Sequence, residues 1–214
     1  RELAGIVESA ILDTYQRLVE TQSPVRVRAN LGEGTVELIE VTADGETALP
    51  PLTGDVARQA AHAVRTAVAE RLRLAGAERV LTDAALRRGE LIDTLVVRRA
   101  GRLWILRAAD QEVVLPPEEQ AAEEELQPGR HLKVMILEGR RKGDDAVLVV
   151  SRSHPQLLRL LLEQEVPELS RGQVVIREIA REAGRRSKVA VDSTDPDIDP
   201  QGACIGPKGV RQRA

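Results

Sequence analysis

The apolar residues of this chain keep two different rhythms, and the change comes near Arg88. Before it they recur every three or four positions, at Leu3, Ile6, Val7, Ala10, Ile11 and Leu18, and again at Val56, Ala60, Val64, Val68 and Leu72. That spacing collects side chains on one face of an α-helix. Beyond Arg88 the apolar residues fall into short runs divided by glycine and proline, the signature of strands. Helices and strands place successive side chains so differently that neither pattern can serve the other element. The chain is therefore expected to be α+β and assembled from differently built parts.

The first part opens with a helix from about Leu3 to Leu18, stopped by Ser23-Pro24. Val25, Val27 and Ala29 alternate with Arg26, Arg28 and Asn30, the period of a half-buried strand. Gly32-Glu33-Gly34 supplies a turn, Val36 to Val41 a second strand, and Asp55 to Leu74 a second helix. Helix, hairpin and helix make a first domain at residues 1–86. Strands are then expected at Glu90–Val97, Arg102–Leu106, Glu112–Leu115, Leu132–Leu137 and Ala146–Val150. Five short strands with turn residues between them fit a small Greek-key barrel of the OB type, placed at residues 87–153. The Glu-rich stretch 118–125 is expected to be a short helix with a solvated face. Residues 154–214 continue with a Leu-rich helix at Gln156–Glu165, strands at Val174–Glu178 and Lys188–Asp192, and a Gly-rich segment from Gly202 to Gly209.

Aromatic residues make up only 1% of the chain, with Tyr15, Trp104 and no Phe. The core must be filled by Leu, Val, Ile and Ala, and few rings are left on which a nucleobase could stack. Net charge is -3, so any nucleic-acid contact must come from local patches. Residues 171–214 hold nine Lys/Arg against six Asp/Glu, whereas residues 116–126 hold five Glu and no basic residue. The single cysteine, Cys204, forms no internal disulfide and has no zinc-ligand spacing around it. No apolar run is long enough to cross a bilayer, no secretory signal opens the chain, and a reducing cytoplasm is the expected setting. Arg1 stands where Met would begin a native chain, so a trimmed N-terminus is expected. His62, His131 and His154 share no spacing with carboxylates, so neither catalysis, a metal site nor a cofactor is expected. Asp192, Asp195, Asp197 and Asp199 suggest calcium, but Pro200 occupies the place where an EF-hand loop needs glycine. A turn and a helix N-cap explain them better.

Gly206-Pro207-Lys208-Gly209 is a GxxG element preceded by two alternating strands and by Gly202-Ala203-Cys204-Ile205, which can form a short helix. In a KH module such a loop lets the backbone approach a sugar-phosphate chain, and Lys208 adds a point charge. Ser151-Arg152-Ser153-His154-Pro155 and Glu165-Val166-Pro167-Glu168 add longer motifs, as do Ile179 to Gly184, Asp195 to Pro200 and Gly202 to Gly209. Together they resemble the NusA family of transcription termination and antitermination factors. The resemblance implies an N-terminal domain that docks on RNA polymerase, an S1 barrel, and an incomplete first KH domain of type II. It also implies nascent single-stranded RNA and other antitermination factors as partners, and no membrane. The expected RNA contacts are Ile205, Gly206, Pro207, Lys208 and Gly209 in the loop, with Arg185, Arg186 and Lys188 at the strand pair. Arg98, Arg102 and Arg107 around one barrel hairpin, Trp104 as a stacking ring, and His131 and Lys133 on an outward-facing strand complete the set. Trp104 has a competing role as core volume. Polynucleotide phosphorylase also joins KH and S1 modules, but there KH precedes S1 and catalytic domains are required. A ribosome- or RNA-associated assembly factor without polymerase contact is the other alternative.

Overall fold

The computed structural model describes residues 2–21 and 23–213, with the side chains of Gln212 and Arg213 left aside. Its contacts divide the chain into two compact units, residues 1–76 and 77–214.

In the first unit, helix α1 (Glu2–Leu18) is followed by β1 (Val25–Asn30), β2 (Thr35–Thr42) and β3 (Gly45–Ala48), and then by α2, which begins at Gly54 and ends at Leu86. The strands form an antiparallel meander in sequence order. Val7 and Ile11 of α1 meet Val25, Val27 and Leu38 of the sheet and Ala60 of α2 in one core, with Tyr15, Val64 and Val68 at its margin. Glu8 accepts a hydrogen bond from the Ala29 amide at 2.9 Å, and Glu2 pairs with Arg71. The expected hairpin thus gains a third strand. All four residues of β3 are exposed, so no burial alternation marks it in the sequence.

The second unit holds a closed barrel of β4 (Leu91–Ala100), β5 (Leu103–Ala108), β6 (Gln111–Leu115), β7 (His131–Lys142) and β8 (Asp145–Ser151), in the order β4-β5-β6-β8-β7. All pairings are antiparallel except that of β6 with β8, the Greek-key arrangement expected of an OB barrel. Its interior is aliphatic: Val96, Leu106, Val113, Leu115, Val134, Ile136, Leu148 and Val150 are almost wholly buried. Leu91 to Leu95 of β4 face Met135 to His131 of β7, and this pairing closes the barrel.

Helix α2 runs well past the Leu74 suggested by its apolar period. Ala77, Val80 and Ala84 renew the stripe after Gly76, and Ala84 and Val80 join the barrel core. The contact requires Gly139. A Cβ there would lie 3.0 Å from Ala84 Cβ and 3.1 Å from Leu81 Cα. These last turns belong by contact with residues 77–214, whereas the sequence rhythm assigns them to the part before Arg88.

Residues 118–125 depart from expectation. Only Pro117–Glu119 forms a 3-10 turn, and Glu123 takes a positive φ of 65°. The backbone here is drawn to neighbours instead of to itself. The Glu119 carbonyl accepts from the Arg152 and Ser153 amides, and the Ala122 amide donates to the Ala183 carbonyl. Tertiary hydrogen bonds of this kind override a helical propensity worth tenths of a kcal/mol per residue.

Gly139→Val should cost about 1–3 kcal/mol by overpacking α2 against β7. Chemical denaturation should show a lower midpoint with an unchanged slope.

Candidate nucleic-acid interface

After the barrel, α3 (Pro155–Glu165) and α4 (Pro167–Ser170) lead to β9 (Val174–Glu182) and β10 (Arg186–Ser193), then α5 (Pro200–Ile205) and α6 (Val210–Arg213). His154 caps α3, its Nδ1 accepting from the Gln156 amide at 3.1 Å with Pro155 in the first turn. The two strands form an antiparallel pair with a bulge at Ala190/Val191. Val166, Leu169, Val174 and Ile176 form the centre of a small core, which Val189, Val191, Ile198, Ala203 and Cys204 extend.

Two of the aspartates between β10 and α5 hold the local turn and the helix start. Asp195 Oδ1 accepts from the Asp197 amide at 3.1 Å. Asp199 caps α5, accepting from the Gln201 and Gly202 amides at 3.1 and 3.0 Å. Among the described residues no group of His, Cys, Asp and Glu is arranged to hold a metal ion. Burial pushes the Cys204 thiol above its ordinary 9.0, with Glu168 adding to the effect.

Between α5 and α6 the GxxG element turns through three left-handed residues, Gly206 (φ 72°), Lys208 (φ 53°) and Gly209 (φ 71°). Gly206 has ψ 169°, a combination open essentially only to glycine. Space also demands glycine there, because a Cβ would sit 2.7 Å from Arg211 Cγ. The Arg211 side chain passes beneath the loop, and its Nη1 donates to Glu168 Oε2 at 2.8 Å and to the Ala203 carbonyl at 2.6 Å. One cation thereby joins α6, α5 and α4 under the turn. Beside it opens a groove of about 560 Å³ lined by Leu158, Leu161, Val189, Val191, Cys204 and the exposed Ile205.

The expected contacts separate into groups. Ile205 to Gly209 lie together. Ser187, Val189 and Val191 face the groove, so strand alternation turns Arg186 and Lys188 to the opposite face of the hairpin. Arg186 there pairs with Glu182 at 3.0 Å, and Arg185, in the connecting turn, pairs with Glu123 at 3.0 Å. On the barrel, register brings distant residues into one row: Glu112 opposes Arg107, Arg107 opposes Leu95, and Leu95 opposes His131. Arg98, opposite Ile105 beyond a bulge, and Lys133, opposite Asp93, lie on this same outer face. Lys133 also donates to Gln164 Oε1 of α3 at 2.8 Å. Arg102 is exposed in the β4–β5 turn. Trp104 is half-buried against the barrel core, with the Arg99 guanidinium 5.9 Å from its ring centroid, and one side of it lines a polar cleft with Gln120 and Gln127.

Sequence reasoning passed over Arg140-Arg141-Lys142. They are exposed where β7 and β8 extend beyond the barrel as a two-stranded arm. The three adjacent basic residues were a visible signal. In OB barrels this strand 4–5 loop, with the strand 1–2 loop that carries Arg102, flanks the ligand face. Arg140 is held by Glu138 at 2.9 Å and Glu118 at 3.7 Å.

Glu168 is held below its ordinary 4.5, first by a hydrogen bond from its own backbone amide and further by Arg211. A carboxylate lowered by folding stabilises the fold above its unfolded value and ceases to as pH falls through the folded one. The Arg211 Nη–H resonances should therefore be sharp at neutral pH and broaden in acid below the ordinary carboxylate range. In Glu168→Gln that pH dependence should vanish.

The profile described as the NusA-like first KH domain matches residues 152–214. The chain is 30% identical to the transcription termination/antitermination protein NusA of Bacillus subtilis over 97% of its own length and 63% of that protein's. Against the protein of the same name from Thermus thermophilus it is 37% identical over 82% and 46%, and against that from Mycobacterium tuberculosis 33% identical over 99% and 65%. The chain thus spans roughly half to two thirds of the length of these curated relatives, and it belongs to the NusA family.

Proposed function

We propose that this chain is the polymerase-docking and RNA-contacting part of a transcription factor that modulates pausing, termination and antitermination. The observation that carries the reading is the Gly206–Gly209 loop. Its left-handed turn lies against the Arg211 side chain and beside an apolar groove, within the stretch that matches a NusA-like first KH domain. A loop already held in shape loses little conformational entropy when a sugar-phosphate backbone settles on it.

Ile205 to Gly209 clasp the backbone, and Lys208 supplies charge. Arg98, Arg102, Arg107, His131 and Lys133, with Arg141 and Lys142 of the arm, screen phosphates along the barrel. Arg186 and Lys188 face away from RNA held by the loop. The N-terminal domain at residues 1–86 docks on RNA polymerase, and other antitermination factors join the complex. The chain acts by binding, and no side chain is assigned to bond chemistry.

The test is a salt titration of binding to an unstructured RNA. Affinity should fall as salt rises, because counterions are released on binding. Lys208→Ala should reduce the slope of log K against log salt by about one phosphate's share. Pro207→Asp with Lys208→Asp, which puts acidic charge on the loop without a Cβ at either glycine, should weaken binding with the circular dichroism spectrum unchanged. Equal affinity for the double variant would remove the loop from the reading. Immobilised core RNA polymerase should capture the chain, and failure to bind would favour an assembly factor that acts on RNA alone.

A further inference from the structure

The stretch between β6 and β7 touches the β9–β10 hairpin with backbone against backbone. The Ala122 amide donates to the Ala183 carbonyl at 3.0 Å. The next residue, Gly184, has φ 82°, and a Cβ on it would lie 1.5 Å from the Ala122 carbonyl oxygen and 2.6 Å from its carbon. The three nearest atoms are all backbone, which cannot swing aside as a side chain can. Glu124 meets Arg152 in a two-point pair, Oε1 to Nη2 at 2.7 Å and Oε2 to Nε at 3.0 Å, with the side chains only 13% and 18% exposed. Arg181 of β9 donates to the Arg152 carbonyl at 2.9 Å and to the His154 carbonyl at 2.8 Å. A chain of polar contacts thus runs from the barrel linker through the end of β8 into β9. Helix α3 packs on both β7 and β9 as a separate attachment.

We infer that residues 119–124 are a clasp that turns a one-point attachment of the β9–β10 hairpin into a two-point mount. Gly184, Glu124 and Arg152 are then positioning residues for RNA binding, touching no RNA themselves. The mount keeps the Gly206–Gly209 loop at one separation from the basic face of the barrel. An RNA long enough to reach both gains from the high effective concentration of the second site, and that gain depends on fixed geometry. A KH loop holds about four nucleotides, so a tetranucleotide is indifferent to the mount. This inference rests on the RNA-contact reading above.

The test uses Gly184→Ala and, in case that variant fails to fold, Glu124→Gln. Spin labels at Asp110→Cys on the barrel and Asp197→Cys beside α5, in a Cys204→Ser background, report the distance between the two parts. The clasp predicts a narrow distance distribution that broadens in either variant. It also predicts tetranucleotide affinity unchanged within about twofold, and affinity for a long unstructured RNA reduced about tenfold or more. An unbroadened distribution, an unchanged long-RNA affinity, or an equal loss for both RNAs would each overturn it. If the unsubstituted chain binds neither RNA, the RNA-contact reading fails, and with it the positioning role. The distance distribution then still decides whether the clasp is a mount.

Discussion

Strand β4 is hydrogen-bonded on both sides, to β5 through Leu95–Ala100 and to β7 through Leu91–Leu95. The second pairing turns a sheet into a closed barrel and removes its edges, where unpaired amides would otherwise face solvent or other chains. It also sets the faces. With Leu95 opposite His131, every other residue of β4 and β7 points inward, and Ile92, Val96, Leu132, Val134 and Ile136 meet in one interior. The alternate positions bring His131 and Lys133 to the side that carries Arg98 and Arg107. A one-residue slip would exchange core and surface along both strands.

The barrel's filling matters as much as its closure. With no Phe and one half-buried Trp, the interior is packed by small branched side chains that leave little room for error. Protein interiors are dense, so the fit between neighbours must come from backbones lying close together. Gly139 under α2 and Gly184 against Ala122 are two such places, one seating a helix on the barrel and the other seating a hairpin. Gly206 repeats the arrangement on a smaller scale, with an arginine side chain in place of a backbone. Each lacks a Cβ because another group occupies that space.

Much of this was legible in the chain. The five barrel strands announce themselves by short apolar runs between turn residues, and the loop by its spacing after two alternating strands. Apart from Arg140 to Lys142, what escaped had no local signature. Strand β3 is exposed at every position, so it shows no alternation. The continuation of α2 to Leu86 is hidden by Gly76, and its apolar stripe gains meaning only once the barrel exists to receive it. Residues 118–125 read as a solvated acidic helix because their partners, Arg152 and Ala183, are remote in sequence. The row Glu112–Arg107–Leu95–His131 is likewise a product of register. The opposed facing of Lys188 and the loop follows from alternation but needed the position of α5 to be read.

The pairing of β6 with β8 is parallel, linking Val113 to Leu148 and Val114 to Val149. Parallel neighbours cannot be joined by a tight turn, so this ladder waits for the intervening chain to be made. During synthesis the meander and helices of residues 1–76 emerge well before the barrel's last strand. Folding is then vectorial: an early unit built from near neighbours, and a later one whose closure is delayed until Ser151 has left the ribosome. In that interval the apolar faces of β4 to β6 and the last turns of α2 await partners together. Transiently exposed apolar faces and unpaired strand edges of this kind are what make a partly folded chain prone to aggregate.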